Sequence, residues 1–221
     1  MTDYLGKCIA RAAIAAIALA GFAAAASAAP ASAPAAPAAA TVPVAKIQAM
    51  LAKPAVMCGR FDQSKQLAGM KKPLAANGRF CVVAGKGVLW RTLKPFPNTL
   101  RLTRDEIVHF QGERVAMRLD ARTEPTVRMI NSVLFSLLSG DLGQLDTLFE
   151  VDGKVDAASW NVALKARQPA LAKAIGSIKL EGGAYVNNIV ISEDSGDRTS
   201  IVFSAIESGP AALTAEEAAL F

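Results

Sequence analysis

Few residues in this chain of 221 have types that could do chemistry: one histidine, three cysteines and a short run of carboxylates. His109 stands between Val108 and Phe110 on an alternating stretch, and a histidine-assisted nucleophile would have to use it. No GxSxG elbow accompanies it, and no second histidine completes a zinc site. It therefore reads as a solvent-facing strand residue. Gly85-Lys86-Gly87 is too short to cradle a phosphate. Asp141, Asp146, Glu150 and Asp152 cluster, but helix caps and a helix-to-strand exit account for them. The expectation is no catalytic residue, no metal and no cofactor. An exported hydrolase relying on His109 is the enzyme alternative.

The cysteines point to redox compartment instead of catalysis. Residues 1–28 carry Lys7 and Arg11 ahead of an apolar run from Ala12 to Ala26, and Ala26-Ser27-Ala28 fits a small-x-small cleavage site. That is the layout of a secretory signal peptide. Leu5-Gly6-Lys7-Cys8 is a poor lipid-attachment box, because it precedes the apolar run, so a mature chain without a lipid anchor is expected. Cys58 and Cys81 remain, and export exposes them to an oxidising environment. A hairpin centred between Gly69 and Met70 would place them opposite each other. A Cys58–Cys81 disulfide is expected, the plainer alternative being two buried thiols.

The elements that hold these residues follow from periodicity. Residues 29–43, with eight Ala and four Pro, lack large side chains to bury and read as a flexible linker. A helix is expected from Val44 to about Leu51, before Pro54. Strands follow at 59–67, with Phe61, Gln63, Lys65 and Leu67 on one face, at 78–83, and around Trp90. Leu100 and Leu102 share a face, and 105–111 with 114–119 form a hairpin around Gly112. There Val115, Met117 and Leu119 alternate with Arg114, Ala116 and Arg118. Thr123 to Gly140 reads as a helix with an unusually wide apolar arc, including Met129, Ile130, Val133, Leu134 and Leu137. Burial within the protein, or contact with something that is not protein, would each explain that arc. A second short helix carries Leu142, Leu145 and Leu148. Strands resume near 149–151, 158–166, 177–181, 185–191 and 199–206. Residues 44–221 thus form one β-dominated α+β domain, an antiparallel sheet of ten or eleven strands that must curl.

The net charge is +5 (24 basic, 19 acidic). Without Lys7, Arg11 and Asp3 it becomes +4, with no basic block that would suggest nucleic acid. What remains is apolar surface, which suits a lipophilic ligand. Burying a methylene is worth about 0.8 kcal/mol, so an alkyl chain of ~16 carbons gains roughly 12 kcal/mol on leaving water.

Several runs in order, GRFDQSKQLAG, PLAANGRF, GKGVLWRTLKPFP, SLLSGDLGQLDTLFEV, a tryptophan followed by VALKAR, IKLEGG and EDSGDRTSIVF, resemble the periplasmic lipoprotein-carrier (LolA-like) family. The resemblance spans roughly Val44 to Phe221. It implies an incomplete antiparallel barrel with helices as a lid over its open side and acyl groups inside. Trp90 matches the family's third-strand tryptophan, with Val88 on the same face. Val133, Leu134, Phe135, Leu137 and Leu138 match its lid helix. The family's lid-holding arginine is missing, and Lys86 stands in that region as the substitute lid contact. The expected cavity lining is Phe61, Phe80, Val82, Val88, Trp90, Leu100, Leu102 and Met117 from strands, with Met129, Ile130, Val133, Leu134 and Leu137 from the helix. The function implied is a monomeric periplasmic carrier of an acylated lipoprotein or related lipid, between an inner-membrane donor and an outer-membrane acceptor. A lipid-sensing regulator acting through a protein partner is the alternative.

Overall fold

In the computed structural model, the described residues are 44–120, 122–123, 145–169, 172 and 175–221. The first element among the described residues is helix α1 (Val44–Met50). A meander of β1 (Val56–Gln66), β2 (Leu74–Val83), β3 (Gly87–Lys94), β4 (Asn98–Leu102), β5 (Glu106–Gln111) and β6 (Arg114–Asp120) follows. A single turn of helix, α2 (Leu145–Leu148), leads into a second meander. This comprises β7 (Phe149–Val155), β8 (Trp160–Ala166), β9 (Ser177–Gly182), β10 (Val186–Ser192) and β11 (Arg198–Ser208). A 3-10 turn (Pro210–Ala212) and α3 (Ala215–Ala218) end it.

The strands form one antiparallel sheet in the order β6-β5-β4-β3-β2-β1-β11-β10-β9-β8-β7, with β6 and β7 at its edges. Each meander is local, since within it every strand pairs with the next one in sequence, through turns of two to seven residues except for the ten-residue connection between β8 and β9. The long-range join is β1 against β11, where Phe61 lies opposite Phe203. The first hairpin has the register expected from its cysteine spacing, with Cys58 opposite Cys81 and Lys65 opposite Leu74. Gly87 is required by close approach: a Cβ there would lie 2.3 Å from the Leu102 carbonyl oxygen of β4.

Two apolar cores result, one on each face. The inner face carries the larger, and α1 adds Val44 and Ile47, with Leu51 following just after the helix. The outer face carries Cys58, Cys81 and Leu89, covered by Ala212, Leu213, Leu220 and Phe221 of the C-terminal segment. That segment was not anticipated, although its Thr214–Glu217 capping box is a readable pattern. The expected helix over 123–140, and with it Met129, Ile130, Val133, Leu134 and Leu137, lies outside the described residues, apart from Thr123, which sits in a turn. No helix among the described residues is long and apolar enough to cross a membrane.

Candidate functional site

Alternation along each strand and the pairing register arrange the inner face in rows. One row runs Met57, Val82, Val88, Leu102, Ile107, Leu119 across β1 to β6. The next runs Gly59, Phe80, Trp90, Leu100, His109, Met117. In the second meander Ile201, Ile189, Leu180 and Val162 form a row, and Ile191, Ile178, Leu164 and Val151 another. All eight strand residues expected to line a cavity share this face: Phe61, Phe80, Val82, Val88, Trp90, Leu100, Leu102 and Met117. Six are buried, while Trp90 and Met117 are partly exposed.

At the centre sits an aromatic cluster. The Trp90 ring stacks on Phe61 at 3.9 Å between centroids, and Phe203 meets Phe80 edge-on at 4.9 Å. Offset and edge-on pairs of this kind are the favoured aromatic geometries. Two glycines make room for the rings. A Cβ at Gly59 would lie 2.8 Å from the Phe80 ring, and one at Gly78 would lie 2.8 Å from Phe61 and 1.9 Å from the Arg91 carbonyl oxygen. Since Gly59 faces Phe80 and Phe61 faces Gly78, each ring lies across a glycine on the neighbouring strand. Phe203 was missed as a member, although its strand was readable, because the β1–β11 pairing that brings it here joins distant segments. Trp160, Val162, Ile178 and Leu180 extend the same apolar face, and the alternation in WNVAL and IKL signals them.

His109 is the main correction. It is not solvent-facing: it lies in the Trp90 row between Leu100 and Met117 and is only 6% exposed. Burial lowers its pKa from the usual 6.5, so it is neutral near pH 7, and its Nε2 has no hydrogen-bond partner. Val115 also departs from expectation. A register shift between His109 and Phe110 makes Phe110 pair with Val115, so Ala116 is the extra residue of a bulge. Val115 is thereby carried to the other face, 48% exposed, instead of joining Met117 and Leu119. Lys86 lies exposed in the β2–β3 turn, where its N–H donates to the Val83 carbonyl.

Toward the β1–β2 end the inner face turns polar through Thr92, Asn98, Gln63 and Thr199. There Lys65 pairs with Glu193 at 3.1 Å and Asp197 at 3.8 Å.

The outer face is chemically different. Cys58 and Cys81 are joined, S–S 2.12 Å, and the Glu217 carboxylate lies 3.6 Å from Cys81 Sγ. These three are the one group of possible metal donors among the described residues, but the sulfurs are bonded to each other, so no thiolate is offered. Arg79 Nε donates to Glu217 at 2.9 Å, and Arg91 lies 3.7 Å away. Burial would raise the Glu217 pKa, but the Thr214 N–H and Arg79 outweigh it and hold the carboxyl below its usual value. Among the described residues, the one histidine makes no Nε2 hydrogen bond to a hydroxyl or thiol.

A family model described as outer membrane lipoprotein carrier protein LolA-like matches residues 35–220. No curated protein matches the chain. Solved structures with partial similarity include a LolA superfamily protein from Nitrosomonas europaea, 6% identical over 75% of this chain and 91% of that one, TM-score 0.40. A putative outer membrane lipoprotein-sorting protein domain from Vibrio parahaemolyticus is 9% identical over 78% and 93%, TM-score 0.43. MucB is 10% identical over 75% of this chain and 57% of its own, TM-score 0.42. With the family model spanning nearly all of the domain that carries these two faces, the chain belongs to the outer membrane lipoprotein carrier LolA-like family.

Proposed function

We propose that this protein is a non-catalytic periplasmic carrier that shields the acyl chains of a lipoprotein or related lipid on its way toward the outer membrane. The observation carrying this is the inner face: rows of aliphatic side chains across both meanders, centred on the Phe61–Trp90–Phe80–Phe203 cluster. Such a surface holds a ligand by dispersion and exclusion of water, both non-directional, so it accepts an alkyl tail without demanding one chain length. Transfer out of water is worth about 0.8 kcal/mol per methylene, so a tail of ~16 carbons would be held too tightly to release unless closure opposes binding. In this reading Met129, Ile130, Val133, Leu134 and Leu137 supply the movable cover, and Lys86 contacts it in place of the family's arginine. Donor and acceptor are membranes or membrane proteins on the two sides of the periplasm.

The test is native mass spectrometry of protein purified from the periplasm, together with uptake of a fluorescent fatty acid. Co-purified lipid, or saturable uptake displaced by unlabelled fatty acid, supports the reading. No bound lipid and no uptake by a folded, oxidised sample overturns it.

A further inference from the structure

Six large apolar side chains stand out as exposed among the described residues, and five lie at one end of the β1–β6 meander. Met70 (46%) and Leu74 (51%) flank the β1–β2 turn, Leu93 (53%) and Phe96 (69%) the β3–β4 turn, and Val115 (48%) follows the β5–β6 turn. Antiparallel order puts these three turns at the same end of the sheet, since β1, β3 and β5 all run toward it. The turns at the opposite end, 84–86 and 103–105, contain no large apolar side chain. The asymmetry is therefore one of position. Isolated exposed apolar residues are ordinary, but a cluster at one edge marks a contact surface.

The same tips carry Lys71, Lys72 and Lys94, all exposed. Of the acidic groups at this end, Glu193 and Asp197 are paired with Lys65, leaving Glu113 and Asp194 at the flanks. The tips are also shaped: the Gln66 side chain donates to the carbonyls of Leu67 and Met70, and Asn98 Nδ2 donates to the Phe96 carbonyl at 3.0 Å. Pro73, Pro95 and Pro97 restrict the turns further. The two turn tips thus carry exposed apolar side chains interleaved with exposed lysines. They fit a fluid, anionic surface, where apolar side chains enter the headgroup region and lysines remain beside phosphates.

We propose that the β1–β2 and β3–β4 turns dock this protein on anionic phospholipid bilayers, with Met70, Leu74, Leu93 and Phe96 entering the interface and Lys71, Lys72 and Lys94 meeting lipid phosphates. This stands apart from the carrier reading, because the docking surface lies outside the inner face. Docking would bring the polar rim of the inner face, Thr92 and Asn98, next to the headgroups.

The experiment is co-sedimentation of the full exported chain with vesicles of phosphatidylcholine alone or mixed seven to three with phosphatidylglycerol. Wild type is expected to bind the mixed vesicles and to release with salt. Leu93→Ala with Phe96→Ala should weaken binding at least tenfold. Lys71→Glu, Lys72→Glu and Lys94→Glu together should abolish the preference for phosphatidylglycerol, about fivefold being expected from the loss of each lysine alone. Val202→Ala, the exposed apolar residue away from this end, should bind as wild type. Fatty-acid uptake should be unchanged in all three variants, which checks folding and separates this proposal from the carrier reading. Wild type that stays in the supernatant with both vesicle types, or tip variants that bind like wild type, would overturn it. So would capture of a membrane protein in the absence of any vesicle binding.

Discussion

Strands β1 to β3 carry a core on each side, and the two are closed by different physics. On the outer face the closing groups are directional. The Cys58–Cys81 bond joins two strands, Glu217 receives Arg79 and the Thr214 N–H, and Arg101 donates to the Leu220 carbonyl at 3.0 Å. Each partner is specific, so the C-terminal segment has one way to sit. On the inner face Phe61, Phe80, Trp90 and Phe203 meet through ring contacts alone, and the one buried imidazole in their row has an unpartnered nitrogen. Contacts of that kind can be exchanged for others of similar size at small cost. A sheet whose back is latched can keep its shape while the occupants of its front change. This is the division of labour that the proposed carrier would use, and the two faces can be tested against each other.

The largest expected effect is on the latched side. Replacing both Cys58 and Cys81 by Ala should cost about 3 kcal/mol, given the loop they close, and lower Tm by roughly 10 °C for a domain of this size. Fatty-acid uptake measured well below the new Tm should persist. Loss of uptake by a folded variant would break the comparison, since the outer face would then be shaping the inner one.

Glu217→Gln should cost about 2 kcal/mol, because Arg79 and the Thr214 N–H lose a buried charged acceptor. The pH dependence has a definite sign. Glu217 is held below its usual 4.5, so its stabilisation is fully present above that value and is lost as pH falls through the folded-state pKa. Wild type should therefore release its C-terminal segment in acid, seen as lower amide-exchange protection over 210–221 relative to the intrinsic rate at that pH, and Glu217→Gln should show that loss of protection already at pH 7.

On the inner side the ranking reverses. Trp90→Phe should change stability by about 1 kcal/mol or less, yet reduce fatty-acid affinity several-fold, because a smaller ring leaves the Phe61 face partly uncovered. A Tm drop larger than that of Glu217→Gln, with affinity unchanged, would contradict the assignment of roles. The smallest effect concerns His109. The unfolded chain takes up a proton near pH 6.5 that the buried ring resists, so stability declines as pH falls from 6.5 toward the lowered folded value. His109→Leu should remove that decline and leave the protein as stable or up to about 1 kcal/mol more stable at pH 7. Urea melts at pH 7.5 and 5.5 would show both changes.

Much of the fold was legible because its signals are local. The alternation of Leu100 with Leu102 and of Ile178 with Leu180, and the turn residues at Gly85, Gly112 and Gly196, mark strands and hairpins without knowledge of their neighbours. The strand contributors to the inner face were also readable, because within one hairpin parity carries from each residue to its partner. Parity failed where the ladder slipped. The bulge at Ala116 moved Val115 to the wrong face, and no pattern in the run RVAMRLD announces it. His109 was misplaced for a related reason: its type suggests solvent, and its strand position alone says otherwise.

The succession of strands along the chain, the hairpins that pair neighbours and the register that sets Cys58 against Cys81 are written in the chain, since each depends on residues close together in it. Which segments lie on which face, the meeting of β1 with β11 that completes the aromatic cluster, and the docking of Glu217 against Arg79 were decided by tertiary structure. The reason is that these contacts join residues far apart in sequence. Their loop-closure cost is met only when the whole sheet is in place, and no local preference can encode a partner that arrives from the other end of the protein.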